Sequence, residues 1–242
     1  MTRIIILIII ALNISSCATK KKPEPSAERS YIKAKELLDT AQYKLAAEEF
    51  AKIDEEHPFT YWGKKGQIMA AYSYFRSKSY ADSNRVIDNY FNFYPNDENL
   101  PYLQYLKSRS FYDRIPNTKR SQEFSKLAIE NFSTLIIKYP HTKYTQDARG
   151  KVKNANESIA GNLMDNGRFF QRKGDYMAAI DKFKQVTLRY HNTRYAPEAY
   201  YRIAETYHKI GIDNQSKTAL AMLKSQYPDN KFTKLSTKKI KF

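Results

Sequence analysis

Chemistry in this chain of 242 residues could begin at four histidines, one cysteine or a few paired carboxylates. His57, His141, His191 and His208 show no HExxH pattern or other metal-ligand spacing, and no glycine-rich stretch is built to wrap a phosphate. Glu48-Glu49 and Glu55-Glu56 fall on predicted helical surfaces, where solvated charge is their ordinary use. The single thiol, Cys17, stands directly behind an apolar N-terminal run and serves an anchor better than a nucleophile's role. The expectation is a protein with no catalytic residues, no metal site and no soluble cofactor.

The leader carries the one covalent modification the residues suggest. Arg3 is followed by the nine-residue apolar run Ile4 to Leu12, then Ile14-Ser15-Ser16 and Cys17. A membrane span needs about 20 apolar residues, so this run reads as a signal peptide, 1–16. Both an uncleaved anchor and ordinary secretory cleavage at Ser16 stay open as alternatives. An apolar residue, small residues and then cysteine resemble the bacterial lipobox. That resemblance implies diacylglycerol on the Cys17 sulfur, cleavage before it and an N-acyl chain on the new terminus. Ala18, in place of an aspartate, favours the outer membrane. Residues 17–29, with Lys20, Lys21, Lys22, Pro23 and Pro25, read as a flexible tether.

Behind the tether a helical register recurs. Taking His57, Tyr94, Tyr139, Tyr190 and Tyr227 as markers, the residue seven back is Phe50, Ile87, Phe132, Phe183 or Leu220, always large and apolar. Eleven back it is Ala46, Ser83, Ala128, Ala179 or Ser216, always small, as close approach of two helices requires. Proline follows every marker except Tyr190, and it stops the helix. Spacings of 37, 45, 51 and 37 residues lie near the 34-residue tetratricopeptide period with insertions. The predicted fold is all-α: a tetratricopeptide-like α-solenoid of five helical hairpins over 30–242, at about 28–57, 60–94, 99–139, 144–190 and 195–227.

Within it, Trp62, Gly66, Met69, Tyr72 and Phe75 are expected to form the inward face of the second hairpin's first helix. Tyr144 to Lys173 reads as one helix of about 30 residues, with Gly161 as the point of a bend. The lysine-rich tail after Pro228 is expected to fray.

The runs Leu135 to Ala148, Gly174 to Phe183 and Thr193 to Tyr207, with Tyr102-x-x-Tyr105-Leu106 and the lipobox, resemble the BamD (ComL-type) lipoproteins over nearly the whole mature chain. The resemblance implies a non-enzymatic part of the outer-membrane β-barrel assembly machinery, facing the periplasm. Its implied partners are a BamA-type scaffold, other assembly lipoproteins and unfolded outer-membrane proteins. Arg120-Ser121 departs from the Arg-Asp usual there. A different reading keeps the architecture and changes the role: a periplasmic adaptor lipoprotein for pilus, cell-division or peptidoglycan machinery.

A solenoid presents the first helices of its hairpins as a groove for peptides. With 20 Tyr, 13 Phe and 1 Trp in the chain, most aromatics pack repeats together. Tyr61, Trp62, Tyr102 and Tyr105 are the candidates for peptide binding. The formal charge of +16 would draw a client's terminal carboxylate to such a groove. Export argues against nucleic acid as the target of that charge, and anionic lipid near Lys20 to Lys22 is a better one. By resemblance the scaffold docks on the last two hairpins, which makes Lys182 and Lys184 candidates for meeting an acidic surface.

Overall fold

The computed structural model describes residues 26–240, so the leader, Cys17 and most of the proposed tether lie outside the described residues. Among the described residues there are eleven helices and no strand. They are α1 (Ala27–Asp39), α2 (Tyr43–Glu56), α3 (Tyr61–Arg76), α4 (Tyr80–Phe93), α5 (Leu100–Tyr112) and α6 (Glu123–Lys138). The remainder are α7 (Lys143–Lys173), α8 (Tyr176–Arg189), α9 (Ala196–Lys209), α10 (Asp213–Gln226) and α11 (Lys231–Lys239). Each helix from α1 to α10 packs on the next, and the first helices α1, α3, α5 and α7 touch in succession. This is the expected stack of five hairpins.

The recurring register is the physical basis of that stack. All five markers are helix C-caps with nearly the same backbone, φ −129° to −137°. The five small residues eleven back are completely buried, and the large residues seven back are at most 7% exposed. Where the small residue is serine it also bonds: Ser83 Oγ donates to the Ala71 carbonyl and Ser216 Oγ to the Ala204 carbonyl, each at 2.8 Å. Such a bond ties the second helix of a hairpin to the backbone of its first.

The turns inside hairpins follow one plan as well. Two residues before the second helix the backbone is left-handed, at Gly174 (φ 84°) and Gly211 (φ 77°), and also at Ala41 (φ 59°) and Lys78 (φ 62°). The last two carry a Cβ there, at a cost of about 1 kcal/mol each.

Several expectations are corrected. The first helix begins at Ala27, inside the stretch read as tether, because Ser26 caps it by accepting the Arg29 N–H at 3.4 Å. On α3 the buried face is Gly63, Gly66, Gln67, Ala70, Ala71, Ser73 and Tyr74, whereas Trp62, Met69, Tyr72 and Phe75 are half-buried beside it. Small residues take the centre because α2 and α3 approach closely: a Cβ on Gly66 would sit 2.8 Å from the Phe50 carbonyl oxygen.

The helix α7 runs unbroken through Gly161. A Cβ there would lie 2.6 Å from Thr118 and 2.9 Å from the Tyr195 hydroxyl, so contact explains the glycine. The long loop of hairpin three lies against this point, with Thr118 Oγ1 donating to Asp165 at 2.6 Å and Asn162 Nδ2 to the Arg120 carbonyl at 3.1 Å. As far as Ile240, the last described residue, the lysine-rich tail is ordered as a helix rather than frayed. Asn230 caps α11, whose Phe232, Leu235 and Ile240 cover the open end of hairpin five while its lysines stay exposed.

Candidate functional site

One face of the first helices carries aromatics and cations at a shared spacing of three and four residues. It reads Trp62, Lys65, Met69, Tyr72 and Arg76 on α3, Tyr102, Tyr105, Arg109 and Tyr112 on α5, and Tyr144, Asp147, Lys151 and Asn154 on α7. Steps of three and four keep each row on one helix face. Neighbouring rows meet.

The four aromatic candidates fall into two groups within this face. Trp62 lies 5.0 Å from the Tyr31 ring and 5.1 Å from Tyr61, and the Lys65 ammonium sits 4.9, 5.3 and 5.5 Å from Tyr31, Trp62 and Tyr61. Among the described residues no carboxylate pairs with Lys65, so its charge is turned to the rings and to solvent. Tyr61, 64% exposed, is the most open of the four.

In the second group Tyr105 stacks on Tyr144 at 5.1 Å, with Tyr102 5.9 Å from the same ring. The Tyr105 hydroxyl donates to Asp147 at 2.6 Å, and burial together with that bond raises its pKa. Burial likewise pushes Tyr102 up. Both keep their protons at neutral pH and present neutral rings. Between the groups, Arg76 donates to Tyr72 at 2.6 Å and lies 4.4 Å from the Tyr43 ring, while Arg109 stands 5.9 Å from Phe75 and pairs with Asp113 at 3.1 Å. Sequence reading missed Tyr31, Lys65, Arg76 and Tyr144; the three-and-four spacing repeated on α3, α5 and α7 could have found the last three, whereas Tyr31, on α1, shows only in its contact with Trp62.

Asp97 sets the two groups at a fixed offset. Lying in the loop before α5, it accepts from Lys64 of α3 at 2.7 Å and from the Asn99 backbone N–H at 2.8 Å. Burial alone would raise its pKa, but Lys64 and the Asn99 N–H outweigh that and hold it well below the usual carboxylate range. A depressed carboxylate pKa means stability present above the unfolded value, near 3.9, and lost as pH falls toward the folded one. Asp97→Asn is therefore expected to cost about 2 kcal/mol at pH 7, and the gap to the parent should shrink on acidification below about pH 4. Urea midpoints from pH 7 to 2.5 measure it, and a gap that stays constant over that range would exclude the ion pair as the cause.

Lys182 and Lys184 do not share a surface. Two residues apart on α8, they point to opposite flanks: Lys182 lies 3.3 Å from Asp181, while Lys184 stands 5.3 Å from the Tyr207 ring. A more basic feature lies nearby. A cavity of about 500 Å³ between the end of α6, α7 and the α8–α9 loop is lined by Arg149, Lys153, Arg189 and His191, with no carboxylate in its wall. Among the described residues no group of three or more His, Cys, Asp or Glu is placed to hold a metal ion.

The chain matches, over residues 23–223, a family model described as YfiO, outer membrane lipoprotein. It is 34% identical to the outer membrane protein assembly factor BamD of Rickettsia prowazekii over 230 residues, which cover 93% of this chain and 91% of that protein. The BamD of Caulobacter vibrioides is 29% identical over 231 residues, 93% of this chain and 76% of its own length. That of Neisseria meningitidis serogroup A is 22% identical over 250 residues, 96% and 94% respectively.

Proposed function

Because the chain belongs to the YfiO family of outer membrane lipoproteins, we propose that it acts in outer-membrane protein assembly by holding unfolded clients on the aromatic face of its first helices. In this reading it is a binding protein without catalysis, held to the periplasmic side of the outer membrane by diacylglycerol and an N-acyl chain on Cys17. Two or more acyl chains give stable attachment where one does not. The repeated row of rings on α3, α5 and α7, with the Lys65 ammonium set among three of them, is the observation that carries the client assignment. Rings with polar edges hold an aromatic-ended peptide, and Lys65 attracts its terminal carboxylate.

A photoreactive peptide ending in an aromatic residue tests it. Labelling is expected near Tyr61 and Tyr105, and labelling confined to the second helices would remove the face from consideration.

For the BamA-type scaffold, and other assembly lipoproteins with it, we place docking on hairpins four and five. Among the described residues none of Arg149, Lys153 and Arg189 is ion-paired, and they would meet an acidic surface better than Lys182 or Lys184 can. Charge reversal at Arg149 and Arg189 is expected to weaken scaffold capture from detergent-solubilised membranes at least tenfold, with Lys182→Glu nearly silent. Capture unaffected by the first pair, or abolished by the second, reverses the assignment. Recovery of pilus or cell-wall proteins in place of a β-barrel scaffold would instead favour the adaptor role, toward which no residue of the face points.

A further inference from the structure

We infer that the loop between α2 and α3, with the end of α4, rests on the lipid surface as a second membrane contact beside the acyl anchor. Phe59 is 72% exposed and Phe93 56% exposed, yet their rings meet edge to face at 5.9 Å. Phe59 holds a left-handed backbone, φ 60°, which a bulky side chain adopts only at a cost of about 1 kcal/mol or more. Although the two rings touch each other, most of their apolar surface stays in water. Transfer of both rings into a bilayer interface would offset that cost.

The position of the chain's exit says what covers them. In each hairpin the start of the first helix and the end of the second lie at one end of the stack. Ser26, where the described chain begins, is therefore at the same end as Phe59 and Phe93. Tyr31, one helical turn after Ala27, touches Trp62, three residues beyond Phe59. Nine residues separate Ser26 from Cys17, a reach of at most about 30 Å. This inference rests on the reading of Cys17 as the lipidated residue, for then Ser26 stays within that distance of the bilayer and the end of the fold that carries the two rings is held near it at high effective concentration. Glu55, Glu56 and Glu98 are exposed around the same end. Insertion of rings, not charge, is thus the attractive force, and it should survive salt.

The sole tryptophan, Trp62, reports on this end of the molecule. Residues 18–242, which keep every described residue and lack the lipid, are mixed with phosphatidylcholine–phosphatidylethanolamine vesicles carrying brominated chains, in 0.5 M salt. Trp62 fluorescence is expected to be quenched, and Phe59→Ser with Phe93→Ser to bind about tenfold more weakly. Phe59→Gly relieves the left-handed strain, so it should fold at least as well as the parent and still lose vesicle binding. Met177→Ser, 62% exposed at the start of α8 and so at the opposite end of its hairpin, is the control and should bind as the parent does. Unquenched Trp62, equal binding by the double variant, or equal loss with Met177→Ser overturns the inference. So does a double variant that loses client peptide while keeping vesicles. Mass spectrometry of the mature protein judges the anchor separately: no lipid on Cys17 ends that reading, while the vesicle result stands by itself.

Discussion

Alanine at both Trp62 and Tyr105 lowers affinity for an aromatic-ended client peptide by about a hundredfold, roughly 2.7 kcal/mol. Each residue is the centre of its group: Trp62 touches Tyr31 and Tyr61, and Tyr105 stacks on Tyr144. Large rings set among other rings are the side chains whose truncation costs most at interfaces, and the two groups are far enough apart for their losses to add approximately. Tyr105→Phe separates ring from hydroxyl. It removes the 2.6 Å bond to Asp147 and the bond the hydroxyl accepts from Arg109 at 3.4 Å, and should hold affinity within about threefold, unless the client uses that hydroxyl. Lys65→Gln should weaken binding about fivefold and flatten its salt dependence, since no carboxylate of the described residues already neutralises that ammonium. Fluorescence anisotropy with a labelled peptide reads all three, and a melting curve for each variant shows that the fold is kept. If the double variant binds as the parent does, the face is packing alone.

A single methyl group at Gly63 is expected to destabilise the fold by about 3 kcal/mol, although alanine is the better helix former. The added Cβ would fall 2.4 Å from the His57 carbonyl oxygen and 3.2 Å from Asp54. The first of these is backbone at the C-cap of α2, so relief needs α2 and α3 to move apart. Gly150 gives the opposite sign: it lies on α7 with nothing within 4 Å of the place a Cβ would take. Gly150→Ala should therefore stabilise by about 0.5 to 1 kcal/mol, through helix propensity alone. Chemical denaturation of the two variants decides the matter, and like signs would mean that the close approach of α2 and α3 is not a strict constraint.

The same contrast explains which expectations from sequence held. Markers, large residues and small residues repeat because every hairpin closes by the same contact, so the pattern survives in one dimension and predicts the helices closely. The inward face of α3 was misplaced by ranking residues on bulk. Where two helix backbones nearly touch, glycine, alanine and serine occupy the centre and Trp62, Met69 and Tyr72 are pushed to the flank. A further repeat went unread: three residues after each marker stand Thr60, Asp97, Thr142, Thr193 and Asn230. Thr60 Oγ1 and Thr193 Oγ1 donate to the carbonyls of their markers at 2.8 and 2.6 Å, and Asp97 braces the start of α5. In the tail, lysine content hid Phe232, Leu235 and Ile240, which pack only because hairpin five leaves an apolar end to cover.

Sequence by itself determined the hairpins, their number and their stops, because these follow from local spacing and from prolines that act on their own neighbours. Tertiary structure alone decided which aromatics stand in water and which serve as packing, where Lys182 and Lys184 point, and that Phe59 meets Phe93. Those facts depend on what lies across from a side chain, and in a stack of helices that neighbour comes from another turn of the solenoid, dozens of residues away along the chain.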